Sequence, residues 1–362
     1  MKHLNKIRRT LETPVNNFIY MASIFKQIAR HIVFPAVYAT GLQHLLSAFS
    51  PHDKLVLCYH GVDISSSLPY NGRHISRENF ERHLIYFKRH FNTVSFSEMF
   101  ELYQEDATPD RPTLALTFDD GYLNNYQHAL PLLEQYEIPA TFFISTFALE
   151  KNGAIVWQDV IDILRESKKE KGLQVAGLDF RPRNGDLFHL YERQSGQKLI
   201  EYIDKLENEA RIRLIDEIKT QYSFEDIVRK GQINYWKLMT KPQLQALSAS
   251  PWAEVGSHSH QHLKLDEIAP ELARRELAYA KQLLTETIQK EVSGLAFPNG
   301  RYNQEVKDMS KALGYRHLAA INYLLAEDKN DPDILPRENV SGTTNYYSQI
   351  IHIHQQIPKV GI

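Results

Sequence analysis

Short apolar runs of strand length alternate with helical stretches through residues 55–145, and this alternation narrows the fold more than any other feature. Leu55–Tyr59 is an apolar run ending at His60-Gly61. Ser76–His90 follows, with Phe80, Leu84 and Phe87 at helical spacing, Ser76 as N-cap and Glu78 in the first turn. Val94-Ser95-Phe96, a helix around Ser97–Glu105, the strand Thr113–Phe118, a helix over Leu123–Gln135 and the strand Ala140–Ser145 continue the pattern. Strand alternating with helix predicts a parallel α/β sheet or barrel. At 362 residues there is ample material for its core.

Two motifs stand at the ends of such runs. Thr117-Phe118-Asp119-Asp120-Gly121 sets adjacent carboxylates after Leu114, Ala115 and Leu116. His258-Ser259-His260-Gln261-His262 spaces two imidazoles four residues apart after Ala253-Glu254-Val255-Gly256. Alone, an Asp-Asp-Gly is a turn and a His-x-x-x-His pair is incidental. Together, at the carboxyl ends of strands, they lie where ligands bind in α/β folds. One carboxylate and two imidazoles can hold a divalent metal and leave positions open, and the other carboxylate is free to act as a base.

These motifs resemble those of the polysaccharide deacetylases of carbohydrate esterase family 4, the NodB-homology proteins. Thr117–Gly121 is similar to the family's first motif and His258-Ser259-x-x-His262 to its second. Weaker matches are Leu55–Val62, Ile138–Ile144, Phe297-Pro298-Asn299-Gly300-x-Tyr302-Asn303 and Leu335-Pro336-Arg337-x-Asn339-Val340. The resemblance implies a distorted (β/α)7 barrel with Asp120, His258 and His262 as metal ligands and Asp119 as general base. The donors suit zinc first, with cobalt, nickel, manganese or iron as alternatives. The general acid, a histidine late in familiar members, is expected at His60, its strand read as moved to the front by circular permutation. His260, His352 and His354 are the other candidates. The family's third motif carries an arginine where this chain has Ala296; Arg337 is the expected substitute, with Arg301 second. Asn299 can still supply a backbone N–H to an oxyanion. The implied function is removal of N-acetyl groups from N-acetylated sugars of a polysaccharide or glycolipid precursor. A catalytically decayed saccharide-binding protein and an O-acetyl esterase are the alternatives.

The alternation stops near Phe147, and residues 150–237 read as a mainly helical insertion with charged faces and a loop at Asp179–Asp186. It belongs to a deacetylase domain expected over residues 53–362. Residues 1–52 form a separate segment, basic at Lys2, Lys6, Arg8 and Arg9, with no Asp, Glu, Lys or Arg from Ile32 to Pro51. It does not follow the secretory pattern of a basic start leading promptly into an apolar run. Amphipathic helices are the expectation, with peripheral membrane contact through residues 1–50 and a location in the cytoplasm or at the membrane periphery. A formal charge of −2 argues against nucleic acid as a partner. The single cysteine, Cys58, lies in an apolar run and reads as a small core residue.

Overall fold

The computed structural model describes residues 32–41, 54–64, 71–104, 111–150, 154–167, 171–183, 186–231 and 234–356. The chain forms two compact units: Asp53–Thr343, and Met1–His52 together with Thr344–Ile362. The division falls after residue 52, and the last 19 residues group with residues 1–52.

The larger unit is built on a parallel sheet whose strands are Lys54–Tyr59 (β1), Thr113–Phe118 (β2), Ala140–Ile144 (β3), Ala253–Ser257 (β4), Gly294–Ala296 (β5), His317–Ala320 (β6) and one interrupted segment, Ile334–Pro336 with Glu338–Asn339 (β7). The order around the sheet is that of the chain. The first half of β7 pairs with β6 and the second half with β1, so the break at Arg337 is where the barrel closes. A short strand, Asn92–Val94, pairs beside β2. This is the (β/α)7 barrel that the family resemblance implied, with seven staves around the circuit; the alternation alone reached a parallel α/β sheet or barrel.

Alternation along the strands sorts side chains to two faces. Val56, Ala115, Phe143, Ala296, Ala319 and Leu335 cluster as the barrel interior, joined by Phe96, Met99 and Phe100 from below. Phe143 fills so much of that space that a Cβ on Gly256 would clash with its ring. The opposite face is aromatic: Tyr59 stacks on Phe118 at 5.4 Å and Phe118 on Phe142 at 4.9 Å. Phe80, from the helix Arg77–His90, sits edge-on to Tyr59 and Phe118. That helix is capped as expected, with Ser76 accepting from the Asn79 N–H. Strands buried on both faces read as continuous apolar runs, which is why they were visible in the sequence.

The insertion differs from expectation. Helices occupy Trp157–Ser167, Leu199–Asp204, Asn208–Gln221 and Phe224–Gly231. Between the first two lies a three-stranded antiparallel sheet, Leu173–Val175, Leu178–Arg183 and Asp186–Glu192. The Asp179–Asp186 stretch is therefore mostly strand rather than loop. Its first turn is Ala176-Gly177, both at positive φ (49° and 76°), the conformation that matches the twist of a hairpin. Leu173, Val175 and Phe180 turn one face of the sheet onto Val160, Ile163, Leu164, Ile203 and Ile218, which gives the insertion a core of its own.

In the smaller unit, the described residues form the helices Phe34–Ala39 and Tyr346–Gln356, joined by a 3.0 Å hydrogen bond between the Tyr38 and Tyr346 hydroxyls. The rest of residues 1–50 lies outside the described residues, as does most of the expected membrane contact. Among the described residues, no helix is long and apolar enough to cross a membrane.

Candidate active site

Strand register assembles the site. Tyr59 pairs with Phe118, so His60 and Asp119 leave neighbouring strands at the same level. Ser257 pairs with Ile144, which brings His258 to that rim. Parallel strands place all these residues at one carboxyl end, the face on which such barrels carry chemistry. Asp120, Ser259, His262 and Asn299 all adopt left-handed backbone there, with φ between 55° and 73°. Conformations that disfavour a side chain persist where the surroundings fix them, and they gather at functional sites.

Asp120, His258 and His262 come together. The Asp120 Oδ1 atom lies 3.7 Å from His258 Nε2 and 3.4 Å from His262 Nε2, and these donor atoms form one cluster. Asp120 is 3% exposed, yet its Oδ1 is a buried oxygen with no hydrogen-bond partner. A carboxylate oxygen in that state costs free energy unless something else satisfies it. His258 Nδ1 donates to the Ala296 carbonyl at 2.8 Å, which leaves the Nε2 lone pair facing Asp120. Metal-ligating histidines are held in this way by an outer partner. Burial presses both imidazoles down to about 4, opposed by the Asp119 charge, so they are neutral donors at pH 7. Burial raises the Asp120 carboxyl, countered by the histidines. The donor set fits a divalent cation of the zinc type, with oxygen and nitrogen ligands and no sulfur.

Asp119 is held differently. Arg337 Nη1 donates to its Oδ1 at 2.7 Å and Nη2 to its Oδ2 at 2.9 Å, a bidentate pair inside the barrel mouth. Arg337 is 1% exposed; it also donates to Thr117 Oγ1, and its guanidinium lies 5.3 Å from the Phe143 ring centre. Burial pushes the Asp119 carboxyl up, but Arg337 and then His258 outweigh it and hold the group well below the usual carboxylate range. The Cys58 thiol, fully buried two residues before His60, donates to Asp119 Oδ2 at 3.4 Å. Ala296 thus stands where the family has an arginine, and the guanidinium on Asp119 comes from β7. Arg301 instead pairs with Asp266 and Glu267.

His60, Asp119, Asp120, His258, His262 and Asn299 line one cavity of about 350 Å³. His260 turns to Thr146, with Nδ1 2.9 Å from its hydroxyl. His352 and His354 belong to the helix of the smaller unit. Sequence reasoning passed over another part of the wall: Arg73 and Gln158 also line the cavity. Arg73 is gripped by Asp159 and Asp162 of the insertion, while Tyr122 donates to Asp159 Oδ2 at 2.8 Å and Asn71 to Oδ1 at 2.9 Å. No spacing rule announces it, because its members lie on three separate segments.

Comparison with known proteins bears on the family and the fold. A family model described as polysaccharide deacetylase matches residues 106–174 and 198–318, just over half of the chain. A Bacillus subtilis (strain 168) protein with the name "Putative polysaccharide deacetylase YxkH" is 20% identical over 262 residues. That match takes in 72% of this chain and 62% of the relative's length. Among solved structures, the Streptococcus pyogenes deacetylase PplD aligns over 83% of this chain and 97% of its own, with a TM-score of 0.54 and 16% identity. IcaB from Ammonifex degensii aligns over 84% and 98%, with a TM-score of 0.51 and 17% identity. At such identities the structural likeness is one of fold, and the family model carries the assignment: this chain belongs to the polysaccharide deacetylase family.

Proposed function

We propose that this protein is a metal-dependent hydrolase that removes N-acetyl groups from N-acetylated sugars of a polysaccharide or glycolipid precursor. The observation that carries the reading is the unsatisfied Asp120 oxygen facing two neutral imidazoles, beside a second carboxylate kept ionised by Arg337. Asp120, His258 and His262 would hold one divalent ion, zinc first among those the donors suit. When bound, such an ion polarises a carbonyl and makes water a better nucleophile.

The remaining work falls to the chain. Asp119 accepts the proton of the attacking water; Arg337 keeps it ionised and fixes its orientation through two parallel hydrogen bonds. The Asn299 N–H is offered to the oxyanion that develops on the acetyl group. His60, on the neighbouring strand end, delivers a proton to the departing sugar amine. The product is acetate and a free amino sugar.

The test is acetate release from N-acetylglucosamine oligomers, peptidoglycan fragments and chitin. Release from any of these, lost with Asp119→Asn, supports the reading. Release from O-acetylated sugars alone would make the protein an O-acetyl esterase, and no release despite bound metal would leave a saccharide-binding role.

A further inference from the structure

A second set of donors lies beside the first. Cys58 Sγ, a ring nitrogen of His60 and a carboxylate oxygen of Asp119 all lie within 4.8 Å of one another. They come from β1 and from just beyond the ends of β1 and β2, and the pairing of Cys58 with Thr117 holds them in register. Asp119 Oδ2 receives Arg337 Nη2 at 2.9 Å and the Cys58 thiol at 3.4 Å, and it lies 3.8 Å from His258 Nε2. The two donor sets therefore meet at one carboxylate.

We propose that Cys58, His60 and Asp119 form a second, weaker site for a thiophilic divalent cation, and that filling it switches the enzyme off. Sulfur, imidazole and carboxylate make a set that zinc, cobalt and cadmium accept and that magnesium and calcium do not. Binding is an exchange. The Cys58 S–H bond breaks, a sulfur–metal bond forms, and the proton leaves to solvent, so no oxidant or reductant takes part. Asp119 Oδ2 is released from Arg337 Nη2 and the thiol, while Nη1 keeps its bond to Oδ1.

Two features make this the weaker site. Arg337 already neutralises Asp119 and stands as a cation beside the incoming ion. The thiol is fully buried, is hydrogen-bonded to a carboxylate and must give up its proton for an ion to bind. The first set has a carboxylate with an unpartnered oxygen and two neutral imidazoles, so it loads first. The inhibitory consequence rests on the roles proposed above for Asp119 and His60, since the second ion would occupy the base and the acid together. The binding does not rest on those roles.

The experiment is a cobalt(II) titration of the metal-free native protein, followed by absorption, with acetate release measured in a parallel zinc titration. The first equivalent of cobalt is expected to give visible ligand-field bands alone. The second brings a near-ultraviolet sulfur-to-cobalt charge-transfer band that Cys58→Ser lacks. Acetate release rises to one zinc equivalent and then falls to about a tenth when free zinc exceeds the second midpoint tenfold, by simple mass action. In Cys58→Ser the rise remains and the fall disappears. A native protein that takes one ion and shows no sulfur band at large cobalt excess overturns the proposal, whether or not the variant folds. A sulfur band without acetate release at any zinc level upholds the second site and overturns the deacetylase reading instead.

Discussion

The barrel and its insertion solve the same packing problem in opposite ways. The staves are covered on both faces, by interior side chains on one and by aromatics and helices on the other. The insertion has a core of its own, covers one face of a small antiparallel sheet and leaves Gln174 on the other side exposed. The barrel rim carries every proposed catalytic and metal-binding residue. The insertion contributes Val156 and Gln158 to the cavity wall and grips Arg73 through Asp159 and Asp162. The site's chemistry depends on the barrel; the insertion shapes what reaches it.

The largest expected effect falls on the barrel. Asp119→Asn removes the base and should lower turnover by about 10²–10⁴-fold, while one metal ion per chain is retained. Metal analysis beside acetate release checks this, and retained turnover would break the assignment. A core pair then sharpens the comparison. Phe143→Ala in the barrel interior and Phe180→Ala in the insertion should each cost about 3–5 kcal/mol in denaturant melts. Only the first should weaken metal binding, because Phe143 backs Arg337 and Gly256. Equal loss of metal affinity in both would mean that the two regions are not independent.

Arg337→Gln tests the electrostatics. Burial alone would raise Asp119, and Arg337 holds it below the usual range. Because the folded-state value is depressed, the pair's stability is fully present above the unfolded value near pH 4 and is lost as pH falls through the folded one. Without Arg337 the acid limb of kcat/KM should move up by at least about one pH unit, and an unmoved limb would remove Arg337 from the base's environment. The smallest effect belongs to the insertion's turn. Gly177→Ala at φ 76° should cost about 1 kcal/mol in the melt and leave metal affinity unchanged.

This contrast explains what the sequence made legible. β1, β2 and β3 are doubly buried, so their apolar runs stood out, and the motifs at their ends came with them. Asp120, His258 and His262 needed only strand ends on one rim to be brought together. Arg337 was legible through the Leu335-Pro336-Arg337 match once Ala296 was seen to lack an arginine, but its place in the closing break of β7 depends on pairing with both β6 and β1. The hairpins at 173–192 were hidden because Asp179, Arg181 and Arg183 alternate with few apolar residues and resemble a polar loop. The Arg73–Asp159–Tyr122 network and the thiol on Asp119 are tertiary contacts with no local pattern to announce them.

The most direct test strips metal from the native protein with a chelator and restores zinc in steps up to one equivalent per chain, with acetate release followed throughout and His258→Gln run alongside. Activity should be lost on chelation and recover in proportion to the first equivalent, with no recovery in the variant. Acetate release that survives complete removal of metal would rule out metal-dependent hydrolysis.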